Sequence, residues 1–557
     1  MENEDELFHR CIYVPGRFLV DRDSSGLPIF SAIQPVLRPV TSSVPQPIMR
    51  LVTCFAVAAL TSSFLVSAAS SYGESRCEPY KVDIKNRVFI MSDISNEPDD
   101  TMSFVRLLLH SDQYQIEGLV AVTSYWQNAS TYPDQIEAVV RAYGEVLGNL
   151  QTHGHGQFPS EDYLLSRVRS GPTKYGIAAI DALRAGGNIS SGAQLLVDTV
   201  DASDSRLYVQ VWGGVNTLAE ALWYINNTRS PAEFADFTGK LSVYTISDQD
   251  NTGAWIRREF PSVRYIASVH GWNFYGLAAW TGISGEVYYG FDKGGPDTSL
   301  VTNDWVHQNV QLGPLGKMYP NITFIMEGDS PAIFFTMQNG LNAPEHPEWG
   351  SWGGRYFPVN YGEQQFSDAV DHVIGQNGEE FVSNQATVWR WRSAYQNEMA
   401  ARIQWTLREN GPQSNTTHPP VVVVNGSCGS APLELDVQPD STIVLDASQS
   451  YDLDGRSLNF TWFHYREITA TQWWVSAEVP LLNFTAVAGS DGRVVTVHMP
   501  LEENACRAAV ALQATGSVIC QQYHAILQVT NSGTPPITRY RRVILKVQPG
   551  NSTSAGT

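Results

Sequence analysis

The chain of 557 residues contains little positive charge and few cysteines. Its 36 Lys and Arg residues stand against 56 Asp and Glu residues, and the net charge of -20 argues against a nucleic-acid backbone or an anionic membrane surface as a partner. The six cysteines have no spacing typical of a zinc site, and no Gly-x-Ser-x-Gly turn with a partner histidine indicates a serine nucleophile. The hydrophobic fraction of 43% is enough for two or three domains with cores of their own.

An apolar run at 51–66 follows Met49-Arg50 and ends in small residues. A positive start, a short apolar core and a small-residue end predict a secretory signal peptide at 49–69. Residues 1–48 are then an unstructured leader, which a mis-assigned start codon would explain. The alternative is a single-pass type II membrane anchor, because the run is nearly long enough to span a bilayer.

Cysteine pairing and glycosylation sequences also indicate a secreted, extracellular protein. Outside the leader and signal the chain has Cys77, Cys428, Cys506 and Cys520, an even number that suits an oxidising compartment. Cys506 and Cys520 are the natural local pair, which leaves Cys77 and Cys428 to join the chain start to a second domain. The Asn-x-Ser/Thr sequences begin at Asn128, Asn188, Asn226, Asn321, Asn415, Asn425, Asn459, Asn483 and Asn551.

Residues 80–410 alternate between apolar strand patterns and helical patterns. The predicted strands are 88–91, 116–123, 207–212, 241–246 and 322–326. The predicted helices are 132–147, 192–201, 217–225 and 386–410. Such alternation predicts an α/β domain with a mainly parallel sheet and helices on both faces, in which ligands bind at the carboxyl ends of the strands.

The composition changes at 411–420, a linker rich in proline and polar residues. Short alternating runs at 421–548 then predict a small all-β sandwich, and 549–557 is expected to be a disordered tail.

Four carboxylates lie within eight residues, directly after the strand at 88–91. They are Asp93, Glu97, Asp99 and Asp100. Such a cluster repels itself unless a cation or a proton relieves it, and its oxygens suit a hard cation such as calcium. Acids in a first helical turn also favour the helix dipole, which would account for Asp99 and Asp100 but not for Asp93.

Three further loops follow predicted strands. Trp-Gly-Gly-Val-Asn-Thr-Leu at 212–218 either leaves backbone carbonyls facing a ligand or is a plain strand-to-helix turn. Ser-Asp-Gln-Asp-Asn-Thr-Gly at 247–253 has the density of hydrogen-bonding side chains typical of sugar recognition, with a polar surface turn as the alternative. Glu-Gly-Asp-Ser-Pro at 327–331 would bring one more carboxylate to the metal.

The segment at 345–356 mixes tryptophan with glycine. Flat aromatic rings there could stack on the apolar face of a sugar. The alternative is a packed loop with buried tryptophans.

Together these motifs resemble a known family. Asp-Ile-Ser-Asn-Glu-Pro-Asp-Asp at 93–100, the loops at 212–219, 247–250 and 327–331, and Trp-Gly-Ser-Trp-Gly-Gly-Arg-Tyr at 349–356 resemble the secreted "cellulose-binding" family. Its first domain is nucleoside-hydrolase-like, and a cadherin-like β-sandwich follows. The resemblance covers roughly residues 80–548 and implies a calcium ion and a carbohydrate or nucleoside-like substrate, with plant cell-wall polysaccharide as a further partner.

The resemblance to nucleoside hydrolases implies roles for individual residues. Asp93 would be the base that activates water and also a calcium ligand. Asp100 would bind calcium through both oxygens, with Asp329 and the main-chain carbonyl of Asn216 completing the site, and Asp99 would contact sugar hydroxyls. The other side chains expected at the substrate are Asn96, Glu97, Asp248, Asp250, Asn251, Trp349, Trp352 and Arg355.

Two departures bear on the chemistry. The first loop is two residues longer than the Asp-x-Gly-x-Asp-Asp motif, and an ungapped alignment would place Ser95 at the base position. Many nucleoside hydrolases carry a leaving-group histidine before the late aspartate, where this chain has Gly328. We therefore expect a secreted calcium-dependent glycosyl hydrolase, with a non-catalytic polysaccharide-binding protein as the alternative.

Overall fold

The computed structural model describes residues 77–78, 84–270, 274–359, 364–407, 416–469, 479–508 and 518–549. The leader, the signal peptide, linker residues 411–415 and the tail from 550 lie outside these ranges. Residues 74–557 belong to one compact unit. Among the described helices, none combines the length and the apolar character that a membrane crossing requires.

Eight strands form the main sheet: β1 Asn86–Ser92, β2 Tyr114–Ala121, β3 Val168–Ser170, β4 Leu207–Val211, β5 Leu241–Thr245, β6 Arg264–Ala267, β7 Tyr356–Pro358 and β8 Gln365–Asp368. Their spatial order is β3-β2-β1-β4-β5-β6-β8-β7, and all neighbours are parallel except β7 and β8. Strand β1 therefore lies inside the sheet, between β2 and β4. The carboxyl end of β1 shares one edge of the sheet with the carboxyl ends of both neighbours.

The helices of this part are α1 Pro98–Leu109, α2 Pro133–His153, α3 Glu161–Ser166, α4 Ile177–Arg184, α5 Ser191–Asp201, α6 Asn216–Thr228, α7 Pro231–Gly239, α8 Thr252–Glu259, α9 Glu286–Tyr289, α10 Asn303–Asn309, α11 Gly313–Gly316, α12 Ser330–Phe335, α13 Ala386–Trp389 and α14 Arg392–Leu407. They cover both faces of the sheet. Val88 and Ile90 of β1 join one hydrophobic core, whereas Phe89 and Met91 join the other. A strand buried on both faces has a continuous apolar sequence, as β1 does.

This architecture confirms the predicted α/β fold, with one strand wrong. Residues 322–326 are a loop rather than a strand. The backbone of Ile322 bonds to the side chain of Asn303, and the backbone of Met326 bonds to the Ser284 hydroxyl. Because side chains satisfy these peptide groups, an apolar run can lie outside the sheet.

After a hairpin of β9 Asp371–Ile374 and β10 Glu380–Ser383, the remaining strands are β11 Leu433–Val437, β12 Thr442–Asp446, β13 Leu458–His464, β14 Phe484–Ala486, β15 Val494–His498, β16 Cys506–Ala508, β17 Val518–Cys520, β18 Gln522–Asn531 and β19 Thr538–Val547. They form sheets in the orders β11-β19-β18-β13, β12-β15-β14 and β16-β17. The short helices α15 Arg466–Thr469 and α16 Glu502–Ala505 interrupt them. These sheets are consistent with the expected β-sandwich, whose boundaries remain a prediction.

Buried charges join the sandwich to the α/β part. Asp371 is completely buried and accepts hydrogen bonds from Arg355 Nε at 2.7 Å, Arg390 Nη1 at 2.8 Å and Tyr465 Oη at 2.5 Å. Burial alone would raise the pKa of Asp371, but the two guanidinium groups bring it below its ordinary value. The contact therefore depends on a carboxylate that stays ionised.

A second buried carboxylate, Glu398, joins the two parts in the same way. It binds Arg402 Nε at 3.0 Å within α14 and Arg539 Nη1 of β19 at 2.6 Å. The disulfide Cys77–Cys428 adds a covalent link between the chain start and the sandwich, and Cys506–Cys520 closes a local loop. Both disulfides are those expected from the sequence.

We predict that Asp371→Asn destabilises the protein by about 3–5 kcal/mol, because it leaves two guanidinium groups buried without their countercharge. Urea denaturation at pH 7 measures the change. The matched control is Asp181→Asn, which removes the exposed pair with Arg184 and should cost about 1 kcal/mol or less. Equal effects of the two substitutions would show that the buried contact does not hold the two parts together.

Candidate functional site

The first acidic loop connects the end of β1 to the start of α1. Ser92 Oγ, at the end of the strand, donates a hydrogen bond to Asp100 Oδ1 at 2.5 Å. Pro98 occupies the first turn of α1, where its missing N–H has no cost, and Asp99 and Asp100 follow in that turn. Ser95 in the loop has a φ of 91°, a left-handed conformation. This turn places the carboxylates at the carboxyl edge of the sheet.

The second acidic loop precedes α12 and is held by a buried ion pair. Glu327 is completely buried; its Oε1 accepts hydrogen bonds from Arg106 Nη2 at 3.0 Å and from Tyr319 Oη at 2.7 Å. Arg106 belongs to α1, the helix that carries Asp99 and Asp100. A hydrogen bond from Ser330 Oγ to Ser103 Oγ at 3.0 Å joins α12 to the same helix. These contacts fix the second loop against the first.

The two loops bring three carboxylates together. Oxygens of Asp99, Asp100 and Asp329 all lie within 4.8 Å of one another. Asp100 and Asp329 are buried, and Asp329 Oδ2 has no hydrogen-bond partner among the described residues. Burial, followed by the charges of the other acids, raises the pKa of both well above the ordinary value. A hard cation with oxygen ligands would relieve this repulsion, so the donors present fit calcium.

Asp93 lies beside this group of three and is also buried. Burial raises its pKa to about 6, with the charge of Glu97 acting in the same direction and a hydrogen bond with Ser124 opposing it. A β-carbon at Gly213 would come within 2.6 Å of Asp93 Oδ1, so the turn after β4 needs glycine to admit this carboxylate. The charge of Asp93 raises the pKa values of Asp100 and Asp329, so the four acids interact with one another.

The first residue of α6, Asn216, serves the fold. Its backbone N–H donates to Asp250 Oδ2 at 3.1 Å, and its side-chain amide donates to Thr123 Oγ1 and the Lys174 carbonyl at 2.8 Å each. Because Asn216 lies in the first turn of α6, its main-chain carbonyl points along the helix axis toward the N–H group four residues further on. Asn216 Oδ1 is buried without a partner among the described residues. Its role as a metal ligand stays a prediction.

The loop at 247–253 is largely engaged in structural contacts. Asp248 pairs with Arg257 at 2.5 Å, and Asp250 accepts from the backbone of Val215 at 3.0 Å, which caps α6. Asn251 Oδ1 accepts from the backbone N–H of Ile177 at 2.8 Å. These bonds occupy the side chains expected to bind sugar. Asn96 and Glu97, by contrast, remain partly or fully exposed next to the acids.

The segment at 345–356 is a packed loop against the sandwich, which is the alternative that its sequence offered to an aromatic platform. Trp352 is completely buried, with its Nε1 donating to Tyr540 Oη at 3.3 Å. Trp349 stacks on His346 at 3.7 Å between ring centroids. Arg355 belongs to the buried contact with Asp371. The Trp352 and Arg355 side chains are therefore too buried to stack on a sugar, whereas Trp349 is partly exposed.

Steric contacts explain why a glycine, Gly328, precedes Asp329. A β-carbon at Gly328 would come within 2.6 Å of Asp99 Oδ2 and 3.2 Å of the Trp280 ring. A histidine at this position would therefore displace the Asp99 carboxylate. The position of Asp99 therefore requires a residue without a side chain at 328, where many nucleoside hydrolases have the leaving-group histidine.

Sequence reasoning missed the aromatic side chains beside the acids. Tyr125 and Trp126 lie in the loop after β2, and Trp126 Nε1 donates to Tyr275 Oη at 3.2 Å. Tyr275 packs on Trp280 at 5.6 Å between ring centroids, and the Trp280 ring lies 3.2 Å from the β-carbon position of Gly328 beside Asp99. Burial and the charges of Asp93 and Glu97 raise the phenol pKa of Tyr275. Their position in the loop that follows a predicted strand was the available signal for Tyr125 and Trp126.

The fold and the site define a nucleoside-hydrolase-like α/β protein with a C-terminal all-β part. Residues 87–356 match the family model of cellulose-binding Sde182, nucleoside hydrolase-like domain, and residues 442–547 match that of cellulose-binding protein Sde0182, C-terminal domain. The chain therefore belongs to this cellulose-binding family.

A solved structure gives the same fold. A nucleoside hydrolase-related hypothetical protein from Saccharophagus degradans, described as associated with carbohydrate metabolism, is 28% identical with a TM-score of 0.65, over 84% of this chain and all of that one. The inosine-uridine preferring nucleoside hydrolase of Bacillus anthracis is 13% identical with a TM-score of 0.29, over 57% of this chain and all of that one. No curated protein matches the sequence.

We predict that Asp329→Asn stabilises the protein in the presence of a chelator by about 1 kcal/mol or more at pH 7.5. A carboxyl group whose pKa is raised in the folded state stabilises the fold as long as it is protonated. This stabilisation is lost as the pH rises from 3.8, the ordinary pKa of an aspartate, toward about 7, the pKa of Asp99. The advantage of the variant should therefore shrink at pH 5. Thermal unfolding at both pH values measures it, and a variant less stable than the wild type at pH 7.5 would contradict the repulsion.

Proposed function

We propose that this protein is a calcium-dependent glycosyl hydrolase that cleaves an N-glycosyl or related glycosidic bond at the acidic loops. The observation that carries the proposal is the convergence of Asp99, Asp100 and Asp329, with one buried carboxylate oxygen lacking a partner among the described residues. Ion pairs elsewhere in the fold neutralise buried carboxylates with arginine. The charges that act on Asp329 are those of other acids, so the neutralising group is best supplied from solution as a cation.

The residues of the chain divide the chemistry between them. Asp93 lies outside the group of three and can accept the proton of an attacking water at its carboxylate, for which a pKa of about 6 is suitable. Asp99 is the most accessible of the three and can also bind a sugar hydroxyl. The negative charge of the site favours the positive charge that develops on the sugar in an oxocarbenium-like transition state. A bound calcium ion would supply the positive charge that lowers the pKa of nearby water.

A second candidate function is carbohydrate binding without turnover. It is favoured by the glycine at 328, where a side chain would collide with Asp99, and by the structural use of Asp248 and Asp250. Without an acid at 328, another group must protonate the leaving group or the bond is not cleaved.

We also propose that the protein acts outside the cell. Two disulfides suit an oxidising compartment. The glycosylation sequences within the described ranges all place their asparagine at the surface, where an acceptor must lie. The predicted signal peptide at 49–69 supports the same location.

We predict that Asp100→Asn and Asp93→Asn separate binding from turnover. Removing the Asp100 charge should weaken calcium binding about tenfold or more, since affinity follows the charge of the ligands. Asp93→Asn should keep most calcium binding and lower kcat by roughly 10²–10⁴-fold, because an amide cannot accept a proton. Calorimetry gives the calcium affinity, and hydrolysis of nucleosides, aryl furanosides and plant polysaccharides, with and without chelator, gives the activity.

The control for both variants is Asp181→Asn, which should match the wild type in calcium affinity and in rate. A wild type that does not bind calcium would contradict the proposed metal role. Calcium binding without hydrolysis of any of these substrates would leave carbohydrate binding as the function.

A further inference from the structure

Six aromatic side chains from four segments form a continuous band at the acidic loops. In order of contact this aromatic band consists of Tyr125, Trp126, Tyr275, Tyr289, Tyr288 and Phe324. The Tyr125 and Trp126 rings meet edge-on at 5.1 Å, and Trp126 Nε1 reaches Tyr275 Oη at 3.2 Å.

The second half of the band continues from Tyr275. A β-carbon at the next residue, Gly276, would lie 3.0 Å from Tyr289 Cβ, so the turn at 275–277 packs directly on that tyrosine. Tyr289 and Tyr288 meet edge-on at 4.9 Å, and Tyr288 meets Phe324 at 6.0 Å. The contacts therefore run from the loop after β2 to the loop before α12.

The two ends of the band are exposed. Tyr125 and Trp126 expose 40% and 42% of their surface at one end, and Tyr288 and Phe324 expose 56% and 47% at the other. Single exposed aromatics are ordinary on a protein surface, but four that join through partly buried rings make a continuous apolar patch. Such patches mark binding sites.

The middle of the band lies next to the acids. Tyr275 packs on Trp280 at 5.6 Å between ring centroids, and a β-carbon at Gly328 would lie 3.2 Å from the Trp280 ring and 2.6 Å from Asp99 Oδ2. Gln127, the residue after Trp126, donates from its Nε2 to the Asp93 carbonyl at 3.3 Å. The exposed rings are therefore joined to the acidic loops through the partly buried rings of the middle of the band. A ligand reacting at the acids would meet rings beyond its reacting unit.

The chemistry of the band selects the kind of occupant. Tyrosine and tryptophan present a flat apolar face together with a polar tip, which matches a sugar ring with apolar C–H faces and hydroxyl edges. Six rings offer more faces than one sugar can cover. The acids at the centre and the net charge of -20 disfavour an anionic ligand such as a uronate chain or a phosphate.

From these observations we infer that the aromatic band is a row of subsites for a neutral linear polysaccharide, which crosses the acidic loops with one sugar at the carboxylates and others stacked on the exposed ends. This inference rests on the proposed function and deepens it, since it makes the substrate a chain rather than a single nucleoside. It also places glycan binding on the α/β part of the molecule rather than on the sandwich.

Calorimetry with cellohexaose and cellobiose as probes tests the inference on the full-length secreted protein. The wild type should bind the hexamer more tightly than the dimer. Trp126→Ala and Phe324→Ala, at opposite ends of the band, should each weaken hexamer binding about three- to tenfold, the effect of losing one aromatic contact. The matched control is Phe357→Ala, a phenylalanine of β7 that exposes 40% of its surface, and it should leave hexamer affinity unchanged.

Equal affinities for hexamer and dimer, or unchanged hexamer binding in both end variants, would overturn the inference. Tighter binding of polygalacturonate than of cellohexaose would overturn the inference that the bound polysaccharide is neutral. Thermal unfolding checks that each variant is folded, and because the two ends are independent, loss of folding in one variant leaves the other as the test.

The same experiment separates this inference from the proposed hydrolase activity. Hexamer binding that depends on both ends, without hydrolysis, supports the band and contradicts the hydrolase. Calcium-dependent hydrolysis of aryl furanosides with unchanged hexamer binding in both end variants supports the hydrolase and contradicts the band.

Discussion

The repulsion between Asp99, Asp100 and Asp329 is the constraint on which the site depends. Three carboxylate oxygens within 4.8 Å oppose the fold at neutral pH unless something holds them. The fold supplies that restraint through the fully buried pair of Arg106 and Glu327, which joins the helix carrying two of the acids to the loop carrying the third. An arrangement that costs stability and is held by such a pair is typical of a functional site.

Neighbouring charges also decide the pKa of the buried carboxylates between the two parts of the molecule, but there they lower it. Asp371 and Glu398 are buried carboxylates whose pKa values lie below the ordinary value because arginines surround them. Asp329 has a raised pKa because acids surround it. Both kinds of carboxylate are buried to a similar degree, so the difference lies in the neighbours. It distinguishes carboxylates that hold the fold together from the carboxylates that we propose as metal ligands.

Much of this could be predicted from the sequence where the signal is local. The apolar run of β1 and the acids after it predicted a strand with a cluster of carboxylates at its end. The meeting of residue 329 with residue 100 was expected from a strand at 322–326 that the fold does not contain, and the buried pair of Arg106 and Glu327 brings the two loops together instead. The use of Trp352 could not be predicted, because a buried tryptophan and a sugar platform have the same local sequence. The loop at 322–326 was also beyond reach, since its hydrogen bonds go to Asn303 and Ser284, which only the tertiary structure brings there.

The most direct test of the account is a crystal structure of the wild-type protein grown with calcium, with anomalous diffraction used to locate the ion. The account predicts a calcium ion about 2.3–2.6 Å from carboxylate oxygens of both Asp100 and Asp329. Crystals at millimolar calcium that show no ion at these residues, or an ion held by other residues alone, would contradict it.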